Sequence, residues 1–289
     1  MTKNTKKGIA LAILAAALYA VSAPFSKILL GYIPPTLMAG FLYLGAGAGM
    51  TGIAFVRKQT AFLVKESKLS AEDLPYTIAM IVLDIAAPIC LLIGLKSTTA
   101  ANASLLNNFE IVATALIALL IFKERISTRL WLGIIFVTAS CLILSFEDVS
   151  SLRFSPGSLL ILAACLCWGL ENNCTRKLSA KDPLQIVLLK GIFSGMGSVI
   201  IGFCIGERIT VFWSIFAAMA VGLVSYGLSI FFYVYAQRQI GAARTSAYYA
   251  VAPFIGVLLS LIIFREIPQT VFFGALGLMA VGAWLSASD

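Results

Sequence analysis

The chain has 289 residues, of which 60% are hydrophobic and 12% charged, and its formal net charge is +8. A soluble domain carries about 25% charged residues, so an ordinary water-soluble fold is excluded. Apolar runs of about 18 residues or more recur from end to end, the mark of a chain that crosses a bilayer many times.

In lipid the backbone must satisfy its own hydrogen bonds, so these continuous, non-alternating runs read as helices rather than barrel strands. Ten are expected in chain order. The first five are Gly8–Leu30, Pro35–Val56, Leu74–Leu95, Ala100–Phe122 and Thr128–Phe146. The second five are Pro156–Leu178, Pro183–Ile205, Thr210–Gln237, Ala242–Phe264 and Pro268–Leu285. The fold class is thus an all-α polytopic membrane protein. The N-terminal Met1–Lys7 and its following apolar run imitate a secretory signal, but the run is too long and has a counterpart in the second half.

Basic residues set the orientation. With the N-terminus inside, fifteen Lys and Arg fall on the inward ends and loops, five fall outward (Lys27, Lys96, Arg153, Arg208, Arg265), and Lys190 lies within a span. The expected location is the cell membrane with both termini cytoplasmic. The positive charge is therefore read as loop charge, and no nucleic acid partner is implied. The six cysteines fall in apolar runs and histidine is absent, so neither a disulfide framework nor a metal site is expected, and no cofactor.

A repeat runs through the chain. The segment from Gly94 aligns without a gap with that from Ala236, at a shift of 142 residues. Ala100, Ala101, Ser104, Leu116, Leu119, Ile121, Phe122 and Glu124 fall on identical residues, while Lys96 meets Arg238 and Lys123 meets Arg265. Ile-Leu-Ala-Ala-Ala-Leu from Ile13 matches Ile-Leu-Ala-Ala-Cys-Leu from Ile161. Residues 1–150 and 151–289 are accordingly expected to be two five-helix units. Five is odd, so the second unit enters the membrane inverted, an arrangement associated with secondary transporters whose site lies where the repeats meet.

The two Phe-[Lys/Arg]-Glu endings at Phe122–Glu124 and Phe264–Glu266 carry a family resemblance. So do the Ala-Ala-x-x-Ser starts, Val251–Pro253 and Cys167–Leu170. The chain resembles the EamA-type branch of the drug/metabolite transporter superfamily over essentially its whole length. The resemblance implies ten helices around a central cavity, alternating access and export of a small-molecule substrate. Proline often stands at one point in both the fourth and ninth helices of that family. Here only Pro253 keeps it, and the aligned position is Ile111, preceded by Glu110.

Charge inside the spans marks the candidate site, because an acid at midplane costs about 3 kcal/mol or more unless it faces a cavity or a partner. Asp84 and Glu110 stand 13 residues either side of Ser97, so a hairpin puts both near midplane. At the repeat shift Asp84 aligns with Tyr226 and Glu110 with Ala252, so the second copy does without either acid. Asn107, Glu110 and Thr114 share a helical face, with Asn108 beside it. This stripe is expected to line a wet chamber and bind a proton or a cationic group of the substrate. Glu171 and Lys190 lie at matching depth on neighbouring helices, either as an internal ion pair or as an inner gate. Trp168, Tyr226, Tyr233, Tyr248 and Tyr249 add polar-tipped aromatics, and Tyr19 and Trp168 occupy corresponding regions of the two halves. The expected substrate/proton-binding set is Glu110, Asp84, Asn107, Asn108, Thr114, Trp168, Tyr226 and Tyr249.

The leading function is a secondary transporter, an exporter of small organic metabolites such as amino acids or amines, coupled to protons. The alternative is a translocase for a lipid-linked or amphipathic substrate. An enzyme is disfavoured because no nucleophile stands paired with a base. The expected partners are the substrate and membrane lipids, with the chain as monomer or homodimer.

Overall fold

The computed structural model describes residues 3–59, 67, 69–121, 123, 126–148, 153–178, 181–240, 245, 248–265 and 268–287. The first half contains α1 (Lys3–Ala20), α2 (Ser22–Leu29), α3 (Pro35–Gln59), α4 (Leu74–Lys96), α5 (Ala100–Leu106), α6 (Phe109–Leu120) and α7 (Thr128–Ser145). A short antiparallel pair, β1 (Phe146–Asp148) and β2 (Arg153–Phe154), leads into the second half. That half contains α8 (Pro156–Leu178), α9 (Pro183–Leu189), a π-helical segment (Lys190–Ser194), α10 (Gly195–Cys204), α11 (Trp213–Gly222), a second π-helical segment (Leu223–Leu228), α12 (Ser229–Ile240), α13 (Ala252–Phe264) and α14 (Thr270–Ala287).

Among the described residues eight helical stretches are long and apolar enough to cross a membrane: Lys6–Leu29, Pro35–Phe55, Ala71–Lys96, Ala100–Leu120, Thr128–Ser145, Pro156–Leu178, Pro183–Cys204 and Trp213–Ala236. The ninth and tenth expected spans appear as shorter apolar helices, Ala252–Phe264 and Thr270–Ser286. Pro253 has no N–H to continue a preceding α-turn, so α13 starts afresh at Ala252. Much of the stretch before it, residues 241–244, 246 and 247, lies outside the described residues. The outer surface is apolar: Leu120, Phe216 and Phe212 are 74%, 74% and 72% exposed. Such faces belong against lipid.

α3 is the central element. It packs on α10, α11, α4 and both π segments. Small residues allow the close approach, as expected where helices meet in a membrane. Gly40 sits against Gly195 and Val199, and Gly47 sits against Gly191, so α3 and α10 run antiparallel. α7 and α14 do the same: Gly133 meets Gly282 and Ser286, and Ser140 Oγ donates to the Ala275 carbonyl at 2.6 Å. Two other contacts exchange under the repeat: α4 packs on α8 as α1 packs on α12, and α6 packs on α8 as α1 packs on α13.

Helix ends are closed by recognisable devices. Glu207 accepts from the backbone N–H groups of Thr36 and Leu37, at 3.2 and 2.8 Å, and so caps α3 from a distant loop. Gly206, at φ +85°, turns the chain back so that Glu207 N–H reaches the Gly202 carbonyl at 2.9 Å. Lys27 donates to the carbonyls of Leu95 and Thr98, at 2.5 and 2.6 Å, across the C-terminus of α4. Lys123 and Arg265 both adopt left-handed φ, 55° and 53°. Arg265 is the residue at which α13 terminates, whereas α6 already ends at Leu120, before Lys123. Phe122, Glu124 and Glu266 lie outside the described residues.

Candidate functional site

Three helices break around one small cavity. α1 and α2 part at Val21, where Pro24 removes the N–H that would have reached the Ala20 carbonyl. α5 and α6 part at Asn107–Asn108, although the sequence suggests one continuous helix from Ala100 to Phe122. Here tightened turns run from Asn108 N–H to the Leu105 carbonyl at 3.2 Å and from Glu110 N–H to the Asn107 carbonyl at 3.1 Å. α13 follows the turn at Ala250–Val251. The fourth span thus reproduces, without proline, a break that Pro253 accompanies in the other half. Tyr19, Ala20, Ser22, Ala23, Ser104, Asn107, Ala252, Pro253 and Gly256 line a cavity of about 10 Å³, the room of a single water.

The cavity wall carries polar groups without partners. Among the described residues Ser104 Oγ and Asn107 Oδ1 are buried and make no hydrogen bond, and both amide atoms of neighbouring Asn108 are in the same state. Buried polar atoms of this kind are rare and call for a ligand or a water. One turn along α6, Glu110 is half-buried and accepts from Asn172 Nδ2 at 2.6 Å. Asn172 also donates to Thr114 Oγ1 at 3.3 Å, so one amide on α8 joins Glu110 and Thr114 of the polar stripe. Asn173 anchors the same contact by donating to the Thr114 carbonyl at 3.1 Å.

Tyrosines form the remaining wall. Their rings make a continuous chain, Tyr233–Tyr249–Tyr19–Tyr226–Tyr43, with centroid separations of 4.8, 5.8, 6.1 and 5.1 Å in that order. Ser22 Oγ donates to Tyr226 Oη at 3.4 Å. Tyr248 is exposed, whereas its neighbour Tyr249 faces inward on Tyr19 and Tyr233. Trp168 is buried in the apolar core.

Asp84 is not beside Glu110. Its Oδ1 accepts from Tyr43 Oη at 2.8 Å, and its Oδ2 lies 3.3 Å from Lys190 Nζ. Lys190 is also 2.5 Å from Glu171 Oε1, which accepts from Thr175 Oγ1 as well. The two acids expected to share one chamber therefore belong to two sites. Equal depth along a hairpin says nothing about which face each acid presents, and α8 supplies a different partner to each. The open chamber expected from the sequence is also absent at this point, because the tyrosines fill the space. Sequence reading missed Asn172, Tyr43 and Thr175. Asn172 directly follows Glu171, and an amide inside a span was the available signal.

A larger cavity of about 340 Å³ lies between the 97–102 turn, the end of α7, the start of α8, and α13 and α14. Ser260 lines it, and its hydroxyl donates to the Gly256 carbonyl at 2.7 Å, so this vestibule is one helical turn from the small cavity. At the opposite end the chain is tied shut. Lys181 pairs with Asp73 at 3.1 Å, Leu69 N–H donates to Gln185 Oε1 at 3.1 Å, and Asp182 N–H donates to the Ser67 carbonyl at 2.9 Å.

The model of the EamA-like transporter family matches twice, over residues 6–146 and 155–288. The chain belongs to the EamA-like transporter family. It is a multi-pass membrane protein built from two copies of the family's unit, and its function is that of a membrane transporter. A relative from Methanothermobacter thermautotrophicus, described as an uncharacterized transporter, is 27% identical over 277 residues, covering 90% of this chain and 80% of the relative. A crystal structure described only as that of a protein superposes with a TM-score of 0.71 at 16% identity, covering 97% of both chains, a likeness of fold alone. In this EamA-like chain the broken helices, the orphan amides and Glu110 together form the candidate site.

Proposed function

We propose that this transporter is a secondary carrier for small organic metabolites bearing an amino or other cationic group, working by alternating access in the cell membrane and exporting its substrate with proton coupling. The carrying observation is the meeting of three broken helices at one cavity with unpartnered Ser104 and Asn107 beside it and Glu110 one turn away. Broken spans of this kind place helix ends and freed carbonyls where a solute is held. Glu110, Thr114 and Asn172 offer a carboxylate and polar partners to an ammonium. Tyr19, Tyr226 and Tyr249 lie within electrostatic range of Glu110 and supply ring faces for the cation.

Opposed insertion of the halves is part of this reading. The antiparallel pairing of α3 with α10, and of α7 with α14, supports it, because these are equivalent helices of the two units. On that reading both termini are cytoplasmic, α13 and α14 complete ten crossings, and the vestibule opens outward. The cytoplasmic end is closed by Lys181–Asp73 and its neighbouring bonds. With room for one water, the central cavity must widen to admit a metabolite, which is the work of the broken helices.

The test is flux in proteoliposomes across a panel of amino acids, amines and nucleosides, with and without a pH gradient. Saturable, gradient-driven flux is expected, falling at least about tenfold in Glu110→Gln, in line with the ~1.5–3 kcal/mol of a hydrogen bond to a charged group. Undiminished flux in Glu110→Gln sinks the site. Lipid scrambling without solute flux would instead favour a translocase.

A further inference from the structure

The Asp84–Lys190–Glu171 cluster has an unbalanced charge. Two carboxyls and one ammonium come together where the residues are 1%, 3% and 5% exposed for Asp84, Glu171 and Lys190. Among the described residues Lys190 is the cation paired with both acids. If both acids were ionised, a net negative charge would sit unbalanced in a desolvated pocket, where removal from water penalises the charged form. We infer that this cluster is a proton-binding site and that Asp84 carries the proton. The inference rests on the proton-coupled reading above and assigns the proton to a site separate from Glu110.

Geometry selects Asp84 over Glu171. Lys190 is nearer Glu171, at 2.5 Å against 3.3 Å, and Thr175 adds a second donor to the same Glu171 oxygen. Glu171 thus has two close donors on one oxygen, one of them the cation, where Asp84 has the longer ion contact. On Asp84, Oδ2 can keep its 3.3 Å ion contact with Lys190 while a proton sits on Oδ1. The bond to Tyr43 then reverses: Asp84 Oδ1–H donates and Tyr43 Oη accepts, at the 2.8 Å already present. Proton binding converts one carboxylate to a neutral acid and breaks no other bond.

The surroundings fit a site that moves. Glu171 is on α8, Asp84 on α4, Tyr43 on α3 and Lys190 on a π-helical segment, a distortion frequent at functional positions. Release of the proton would leave Lys190 between two carboxylates on different helices and draw it toward α4. The other titratable groups in range are Cys174 on α8, Glu110 on α6 and Tyr226. The second copy of the unit lacks the acid: Tyr226 stands where the repeat would put Asp84, and it too contacts Tyr43. A purely architectural need would be met twice.

Infrared spectroscopy of the full chain in liposomes tests this at neutral pH, in water and in deuterium oxide. In a Glu110→Gln background the protein should still show a protonated-carboxyl C=O band that shifts on deuteration. Adding Asp84→Asn should abolish it. Adding Glu171→Gln should also abolish it, because Asp84 then ionises to pair with Lys190. The second variant keeps the test usable if the first fails to fold. No band in the Glu110→Gln protein, or a band that survives Glu171→Gln, overturns the inference. Flux measured on liposomes of the unsubstituted protein separates the two proposals: no flux there with the band present in Glu110→Gln sinks the carrier reading and leaves the proton site, and flux there without the band does the reverse.

Discussion

Replacing Lys190 by Met probes the buried cluster most directly. At an effective dielectric constant near 20, charges 2.5 Å apart attract by about 7 kcal/mol, the separation of Lys190 Nζ from Glu171 Oε1. Much of this offsets the desolvation of the two ions, so the gross figure is not the stability of the pair. Removing one partner is the costly change, because it strands the other charge, and about 3–5 kcal/mol of destabilisation is expected for Lys190→Met. Neutralising Glu171 as well should recover most of it, since Lys190→Met with Glu171→Gln leaves no stranded ion. Simple exchange, Glu171→Lys with Lys190→Glu, should not recover it, because Asp84 would then face a carboxylate in place of an ammonium. The assay is thermal or denaturant unfolding of purified protein in one detergent, read as a double-mutant cycle. If the double neutral variant is no more stable than Lys190→Met alone, the charge-pair account is wrong.

Two further outcomes follow from packing and capping. A Cβ on Gly222 would lie 1.8 Å from the Leu42 carbonyl oxygen, so Gly222→Ala must part α3 from α11 and should cost about 1–3 kcal/mol or more. Gly274 has nothing within 4 Å of such a Cβ, and Gly274→Ala serves as the control that leaves the melting temperature unchanged or raises it. Glu207→Ala removes the acceptor for Thr36 and Leu37 N–H and should destabilise by about 0.5–2 kcal/mol, measured by unfolding, with no change in the family of solutes carried.

Hydropathy and spacing determined a great deal here. An apolar run long enough to cross lipid leaves the backbone no alternative to a helix, so span positions follow from composition. The repeat was legible for the same reason: the ungapped shift of 142 residues carries the pattern through the span to its end, down to the left-handed Lys123 and Arg265. The presence of Glu110, Asp84, Glu171 and Lys190 in oily segments was equally plain, because charge in lipid demands a reason.

Tertiary structure alone decided which of those charges meet. Position along a span gives depth, but rotation about the helix and the choice of neighbour give the partner. Asp84 joined Lys190 and Glu171 because α4 and α8 pack together and the π segment at Lys190 lies against α4. Glu110 turned instead to Asn172, one residue from Glu171 on the same helix. The break at Asn107–Asn108 has no proline to announce it, and it depends on how α5 and α6 lie against α2, α8 and α13. Local sequence reports what each helix can offer, and only packing in three dimensions selects which offers are taken up.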